Sequence, residues 1–199
     1  MGNLTYVFER VERKFLLTPS QYEGLMRVLP EYMQADQYGE STILSLYLDT
    51  ADSLLIRRSL EKPVYKEKLR LRSYGRADRE HPVFMELKKK YRSIVYKRRL
   101  TLPYGRALDC LTGDCPWPET QIGREIGYAM DFYPDLEPRV FLSYERDSWY
   151  APESGLRITF DDAIRFRTAD LTLDSDLWGT ALLRPDQVLM ELKAPGAIP

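Results

Sequence analysis

Lys68, Arg70 and Arg72 stand two residues apart, as do Glu86, Lys88 and Lys90, and again Lys97 and Arg99. Cations of these types bind anions, arginine as a planar fork and lysine as a compact point charge. A spacing of two belongs to strands, where successive side chains point to opposite faces. The other face carries Leu69, Leu71 and Ser73 in the first segment. It is more mixed in the next two, with Met85, Leu87 and Lys89, then Tyr96, Arg98 and Leu100. With a turn at Gly75–Pro82 and a second before Tyr96, three neighbouring strands present one cationic face with Glu86 set among the cations. A meander with its polar side in water is the plain alternative. Against it, like charges directly opposite on adjacent strands repel, and the same alternation returns at both ends of the chain. Such a surface expects a polyanion, and phosphate is the natural candidate.

The chain of 199 residues is read as a single domain over 1–199, long enough for a substantial core. It is 44% hydrophobic and 30% charged, a globular balance, and its net charge of −1 excludes a generic nucleic-acid coat. Any anion site is therefore a local concentration of cations. No stretch is long and apolar enough to span a bilayer, and the N-terminus lacks a signal-peptide pattern, so a cytoplasmic setting is expected. Cys110, Cys115 and a distant His81 make a poor zinc site, and the cysteines read as free thiols in a loop. Histidine-dependent triads are excluded.

Taken in order, residues 6–17 read as a strand with Phe8, Arg10, Glu12, Lys14 and Leu16 on one face. A helix follows, capped by Thr18 or Ser20, with Glu23 in its first turns, and Pro30 closes it near Leu29. Ile43–Asp49 is an apolar strand leading through Thr50 into a short helix over Ala51–Ser59. After the cationic strands, Tyr104–Leu111 and Glu119–Phe132 read as helices, the second on the spacing of Ile122, Ile126, Met130 and Tyr133. Strands return at Val140–Trp149, with Tyr144 and Arg146 on one face, and at Leu156–Asp161. A turn at Asp161-Asp162 separates the latter from a return strand, Ile164–Arg167, and Val188–Lys193 comes last. Eight strands with helices between them predict an α+β fold built on an eight-stranded antiparallel β-barrel, closed or nearly so. If the charged faces turn inward, the charge must be paired or used. A narrow bore of cations and a few carboxylates suits a chain of phosphates with Mg²⁺ or Mn²⁺.

These residues carry a family resemblance. The chain resembles the vacuolar transporter chaperone (VTC) domain of the triphosphate tunnel metalloenzyme superfamily. The matching pieces are Arg10-Val-Glu12-Arg-Lys14, Ser45-Leu-Tyr47-Leu-Asp49-Thr50, Lys68-Leu-Arg70-Leu-Arg72-Ser-Tyr74-Gly75, Phe84-Met-Glu86-Leu-Lys88 and Tyr96-Lys97-Arg98-Arg99. They continue with Ser143-Tyr144-Glu-Arg146, Arg157-Ile-Thr-Phe-Asp161 and Met190-Glu191-Leu-Lys193, in order over almost the whole chain. The resemblance implies a tunnel that binds ATP, triphosphate, pyrophosphate or inorganic polyphosphate with Mn²⁺ or Mg²⁺. It also implies synthesis of polyphosphate from the γ-phosphate of ATP, the activity of eukaryotic members.

Carried over by motif, Lys14, Arg70, Arg72, Lys88, Arg146 and Glu191 form the catalytic set. Arg58, Lys68, Lys97, Arg99, Tyr144, Arg157 and Lys193 join them in holding phosphates, Arg58 from the tunnel mouth. Glu191 is the first choice of metal ligand, and Glu12 and Glu86 the second, since either of these can instead be a salt-bridge partner that spaces the cations. Arg10 stands where the cyclase and thiamine-triphosphatase branch has the first Glu of Glu-x-Glu-x-Lys, which favours the phosphate-chain branch. Relatives continue past the strand matching Glu191-Leu-Lys193 into a helical segment with a Ser-Lys-Tyr-like motif, and this sequence ends at Pro199 before one. A hydrolase of triphosphate or short polyphosphate and a non-catalytic sensor are the other readings. No nucleic-acid partner is expected, and the lack of a fused domain suits a stand-alone bacterial member.

Overall fold

A computed structural model of the chain describes residues 10–36, 39–92, 94–133 and 135–195. Phe8 and the start of the first expected strand lie outside them. The elements are β1 (Arg10–Leu17), α1 (Pro19–Tyr32), β2 (Gln34–Ala35), β3 (Ser41–Asp49), α2 (Leu54–Leu60), β4 (Tyr65–Tyr74) and β5 (Pro82–Tyr91). They continue with β6 (Ile94–Pro103), α3 (Tyr104–Thr112), α4 (Gln121–Phe132), β7 (Glu137–Tyr150), β8 (Arg157–Arg167), β9 (Thr180–Ala181) and β10 (Val188–Pro195). The fold class is α+β with antiparallel strands dominant, as the sequence predicts.

The chain divides into two compact units, and β7 and β8 contribute to both. One comprises residues 1–42, 144–164 and 181–199. Here β10 pairs antiparallel with β1 and with β8, and β7 follows β8. Lys14, Glu191 and Thr159 share one cross-strand row, and Glu12, Lys193 and Arg157 the next. Leu17, Leu29, Met33, Ile158, Phe160 and Met190 bury its core, to which α1 supplies Leu29. Thr18 starts α1 through a capping box: its Oγ1 accepts from the Gln21 amide, and its own amide donates to Gln21 Oε1 at 2.9 Å. The helix runs through Pro30 to Tyr32 rather than ending near Leu29. A proline in the last turn costs one hydrogen bond, and the Met33 amide still reaches the Leu29 carbonyl at 2.9 Å.

The other unit comprises residues 43–143 and 165–180, with strand order β7-β3-β4-β5-β6. One face of its sheet is the core. Leu44, Leu46, Leu69, Leu71, Met85 and Leu87 pack there with Ala107 of α3 and Ile126 of α4. The opposite face of the same strands is consequently the polar one, and period two delivers the cations to it. Asp49 ends β3 and anchors α2: its Oδ1 accepts from the amides of Thr50 and Leu55, both at 2.8 Å, and its Oδ2 from Ile56 at 3.0 Å. A carboxylate at a helix start satisfies otherwise unpaired amides, which gives Asp49-Thr50 a structural role.

One expectation is corrected. The turn at Asp161-Asp162 is absent: β8 is one strand to Arg167, and Ala163, at φ 46°, takes up the bend as a single left-handed residue. Among the described residues the strands run in the order β1-β10-β8-β7-β3-β4-β5-β6, the antiparallel order of the expected eight-stranded sheet.

Candidate phosphate-binding site

In the second unit the register assembles the expected face. Tyr47, Arg70, Glu86 and Arg99 form one row across β3, β4, β5 and β6, and Lys68, Lys88 and Lys97 the next across β4 to β6. Ser45, Arg72, Phe84 and Thr101 make the third. Glu86, only 2% exposed, is the anchor. Its Oε2 accepts from Arg70 Nε at 2.7 Å, and its Oε1 from Arg99 Nε at 2.7 Å and Lys97 Nζ at 2.8 Å. Both Glu86 oxygens are thus engaged by cations. Arg70 also donates to the Tyr47 hydroxyl at 3.0 Å, and the Arg99 guanidinium lies 4.7 Å from the Phe84 ring centre.

Electrostatics follow from this packing. Burial opposes the Glu86 charge, but the Arg70 guanidinium and the hydrogen bond from Lys97 prevail and pull the carboxyl down to about 2. Burial alone would raise the Tyr47 phenol, yet the Arg70 charge and hydrogen bond outweigh it and the net shift is downward. Lys97 is lowered by burial and by the charges of Arg99 and Arg70, against the pull of Glu86. The neighbouring guanidinium charges thus act on Lys97 in the same direction as its burial. Lys88 is exposed and makes no ion pair among the described residues.

In the first unit a second cluster surrounds Glu191, 8% exposed. Lys193 Nζ lies 2.5 Å from its Oε2 and Lys14 Nζ 3.4 Å from its Oε1. Burial opposes the Glu191 charge, and contact with the Glu12 carboxyl together with Lys193 and Lys14 pulls it down to about 2. Arg146 makes a two-pronged pair with Asp161, Nε to Oδ1 at 2.6 Å and the second nitrogen to Oδ2 at 2.7 Å, and sits 5.0 Å from the Tyr144 ring centre. Arg157 pairs with Asp36 at 2.5 Å.

Two carboxylates meet in this second cluster, and a divalent cation there would take the Glu191 oxygens from Lys193 and Lys14. Glu12 and Glu191 bring two hard oxygen donors together, and the buried Thr159 Oγ1, beside Glu191 in register, has no hydrogen-bond partner. Among the described residues no three His, Cys, Asp or Glu side chains gather in one metal-binding group. A Mg²⁺-type site with one or two protein carboxylates completes itself from water and phosphate oxygens, so the set suffices.

Arg58 is not brought to the cationic face. It lies against Tyr133, which also meets Glu67, a residue on the core side of β4. Conversely, sequence reading passed over Tyr47 and Asp161 as site residues. Within the apolar stretch Ile43–Asp49, Ser45, Tyr47 and Asp49 alternate with Leu44, Leu46 and Leu48 in the same period of two. That alternation is the signal for Tyr47. Nothing local singles out Asp161 as the partner of Arg146.

Both depressed carboxyls predict acid sensitivity. Glu86 falls from an ordinary 4.5 to about 2, so the folded protein holds it ionised where the unfolded chain takes up a proton. Its stabilisation, about 3 kcal/mol, is present above pH 4.5 and is lost as pH falls toward 2, and Glu191 adds in the same direction. Circular dichroism across that window, with urea, is expected to show falling stability in the wild type and a flatter profile for Glu86→Gln. Equal slopes in the two proteins would remove Glu86 from the account.

Rows of arginine and lysine pinned by buried carboxylates, on an antiparallel α+β scaffold, define a domain for phosphate-type ligands. The chain belongs to the VTC domain family, whose model matches residues 9–199. Its fold is similar to that of a Bacillus halodurans protein provisionally described as an adenylate cyclase, at TM-score 0.57 and 17% identity, over 93% of this chain and 80% of that one. A Vibrio parahaemolyticus protein of the same provisional description matches at TM-score 0.49 and 11% identity, over 94% and 75%. No curated protein matches the chain in sequence. No helix among the described residues is long and apolar enough to cross a membrane.

Proposed function

We propose that the protein transfers phosphoryl groups from ATP to inorganic phosphate chains, making polyphosphate with Mn²⁺ or Mg²⁺. The observation that carries this is the row Tyr47–Arg70–Glu86–Arg99 beside the row Lys68–Lys88–Lys97. Such rows match a linear polyanion better than a single phosphate, because charge repeats at strand spacing across three strands. Phosphoryl transfer asks mainly for positioning and charge neutralisation. Arg70, Arg72, Arg99, Lys68, Lys88 and Lys97 orient the phosphates and offset their charge. Glu86 holds Arg70, Arg99 and Lys97 in place beforehand, so little reorganisation accompanies the reaction.

In the other cluster, Glu191 and Glu12, with the Thr159 hydroxyl, would hold the divalent metal, and Lys14, Lys193 and Arg146, beside Tyr144 and Arg157, would bind phosphate oxygens. The bound metal supplies Lewis-acid charge to phosphate oxygens. An acceptor that is already a phosphate oxyanion needs no general base. With water as acceptor the same groups make a triphosphatase, and with no turnover, a sensor.

The test is incubation with γ-labelled ATP and Mn²⁺, with products resolved by chain length, alongside Glu191→Ala. A ladder of long chains is expected from the wild type and none from the variant. Free phosphate alone would replace the polymerase with a hydrolase. Tight binding of triphosphate without turnover would replace it with a sensor.

A further inference from the structure

We propose that Cys110 and Cys115 form a reversible disulfide site that is oxidised by low-molecular-weight disulfides such as oxidised glutathione. The two Sγ atoms of these free thiols lie 2.8 Å apart. A disulfide bond is about 2.04 Å long, so closure requires a sulfur movement below an ångström.

The sequence Cys-Leu-Thr-Gly-Asp-Cys builds this approach into the end of α3. Gly113 takes φ 85°, the left-handed value that ends helices and that glycine adopts without penalty. The chain then turns back, and the amides of Asp114 and Cys115 both donate to the Asp109 carbonyl, at 2.8 and 3.2 Å. The Thr112 hydroxyl holds the turn from within, at 2.6 Å from Asp114 Oδ2. Cys110 faces the core, 5% exposed, whereas Cys115 is partly open to solvent. Its thiol reaches no nearer partner than Cys110, since the Arg106 carbonyl is 3.8 Å away. A metal is the rival use of paired thiols, but no further His, Cys, Asp or Glu completes a metal-binding group among the described residues.

The difference in exposure sets the order of steps. The Cys115 thiolate attacks one sulfur of the small disulfide; that S–S bond breaks, and one small thiol leaves and takes a proton. Cys115 now carries a mixed disulfide. Cys110 gives up its proton, its sulfur attacks Cys115 Sγ, and the second small thiol leaves. Two protein thiols are oxidised, and one small disulfide is reduced to two thiols. In the dithiol, burial and the hydrogen bond with Cys115 push the Cys110 thiol up to about 12, so the more exposed Cys115 is the sulfur that reacts first.

The experiment treats the folded full chain with glutathione buffers of graded ratio, quenches by alkylation and reads mass and thiol count. The wild type is expected to pass through a glutathione adduct at Cys115 to a species lighter by two hydrogen atoms with no free thiol. Cys110→Ser is expected to stop at the adduct, and Cys115→Ser to resist oxidation. The oxidised wild type is expected to melt about 5 °C above the reduced form, because a cross-link restricts the unfolded chain. Two alkylatable thiols surviving in fully oxidised glutathione would overturn the proposal, as would an adduct that never resolves or a disulfide between two chains. The wild-type mass shift decides the matter even if a serine variant fails to fold.

Discussion

Replacing Glu86 by alanine is expected to cost about 3–5 kcal/mol of folding stability, the usual consequence of removing one partner from a buried ion cluster. The cost arises on the cations, not on the carboxylate. Arg70, Arg99 and Lys97 all converge on this one side chain, at 2.6 to 2.8 Å. Without it they repel one another across adjacent strands with no internal anion to hold them. Domains are typically stable by only about 5–15 kcal/mol, so the variant stands near its limit. Urea unfolding measures the loss. Inorganic triphosphate added to the folded variant should recover more stability than it gives the wild type, because the ligand supplies the missing negative charge. Wild-type stability in Glu86→Ala would show that the cluster is solvated decoration. A full loss with no recovery by triphosphate would keep the structural role of Glu86 and count against a phosphate-binding face.

Arg70→Ala is expected to lower turnover about 100- to 1,000-fold, the scale on which a preorganised donor to a developing charge acts. Arg70 binds Glu86 and the Tyr47 hydroxyl, which fixes its plane. The fold tolerates the change better than loss of Glu86, since Arg99 and Lys97 still neutralise the carboxylate. Arg70→Lys is expected to recover only part of the rate. A single ammonium cannot span Glu86 and Tyr47 and still present a planar edge to phosphate. Turnover of γ-labelled ATP, normalised to the folded fraction by circular dichroism, measures both variants. A folded Arg70→Ala protein working at the wild-type rate would remove the central row from the reaction and leave the phosphate-holding role to other cations.

Lys66 to Arg99 was readable because strand alternation is local. Two residues per repeat settle which side chains share a face, whatever lies beside them; the register across β4, β5 and β6 then brings Lys68, Lys88 and Lys97 into one row. The start of α1 was readable for the same reason, since the capping box at Thr18 lies within four residues. Partners distant along the chain were not readable. That Arg70, Arg99 and Lys97 all meet on the two oxygens of Glu86 is visible only in the fold. Arg58 was placed by motif, and its helix turned it to Tyr133 instead. Thr159 had no role in sequence; only the pairing of β8 with β10 sets it beside Glu191. Alternation assigns a residue to a face, but its partner on that face depends on strand pairing between segments far apart in the chain. The sequence alone thus determined a cationic strand face and its phosphate chemistry. Tertiary structure decided which cations meet which carboxylate, because those pairs join strands far apart in the chain.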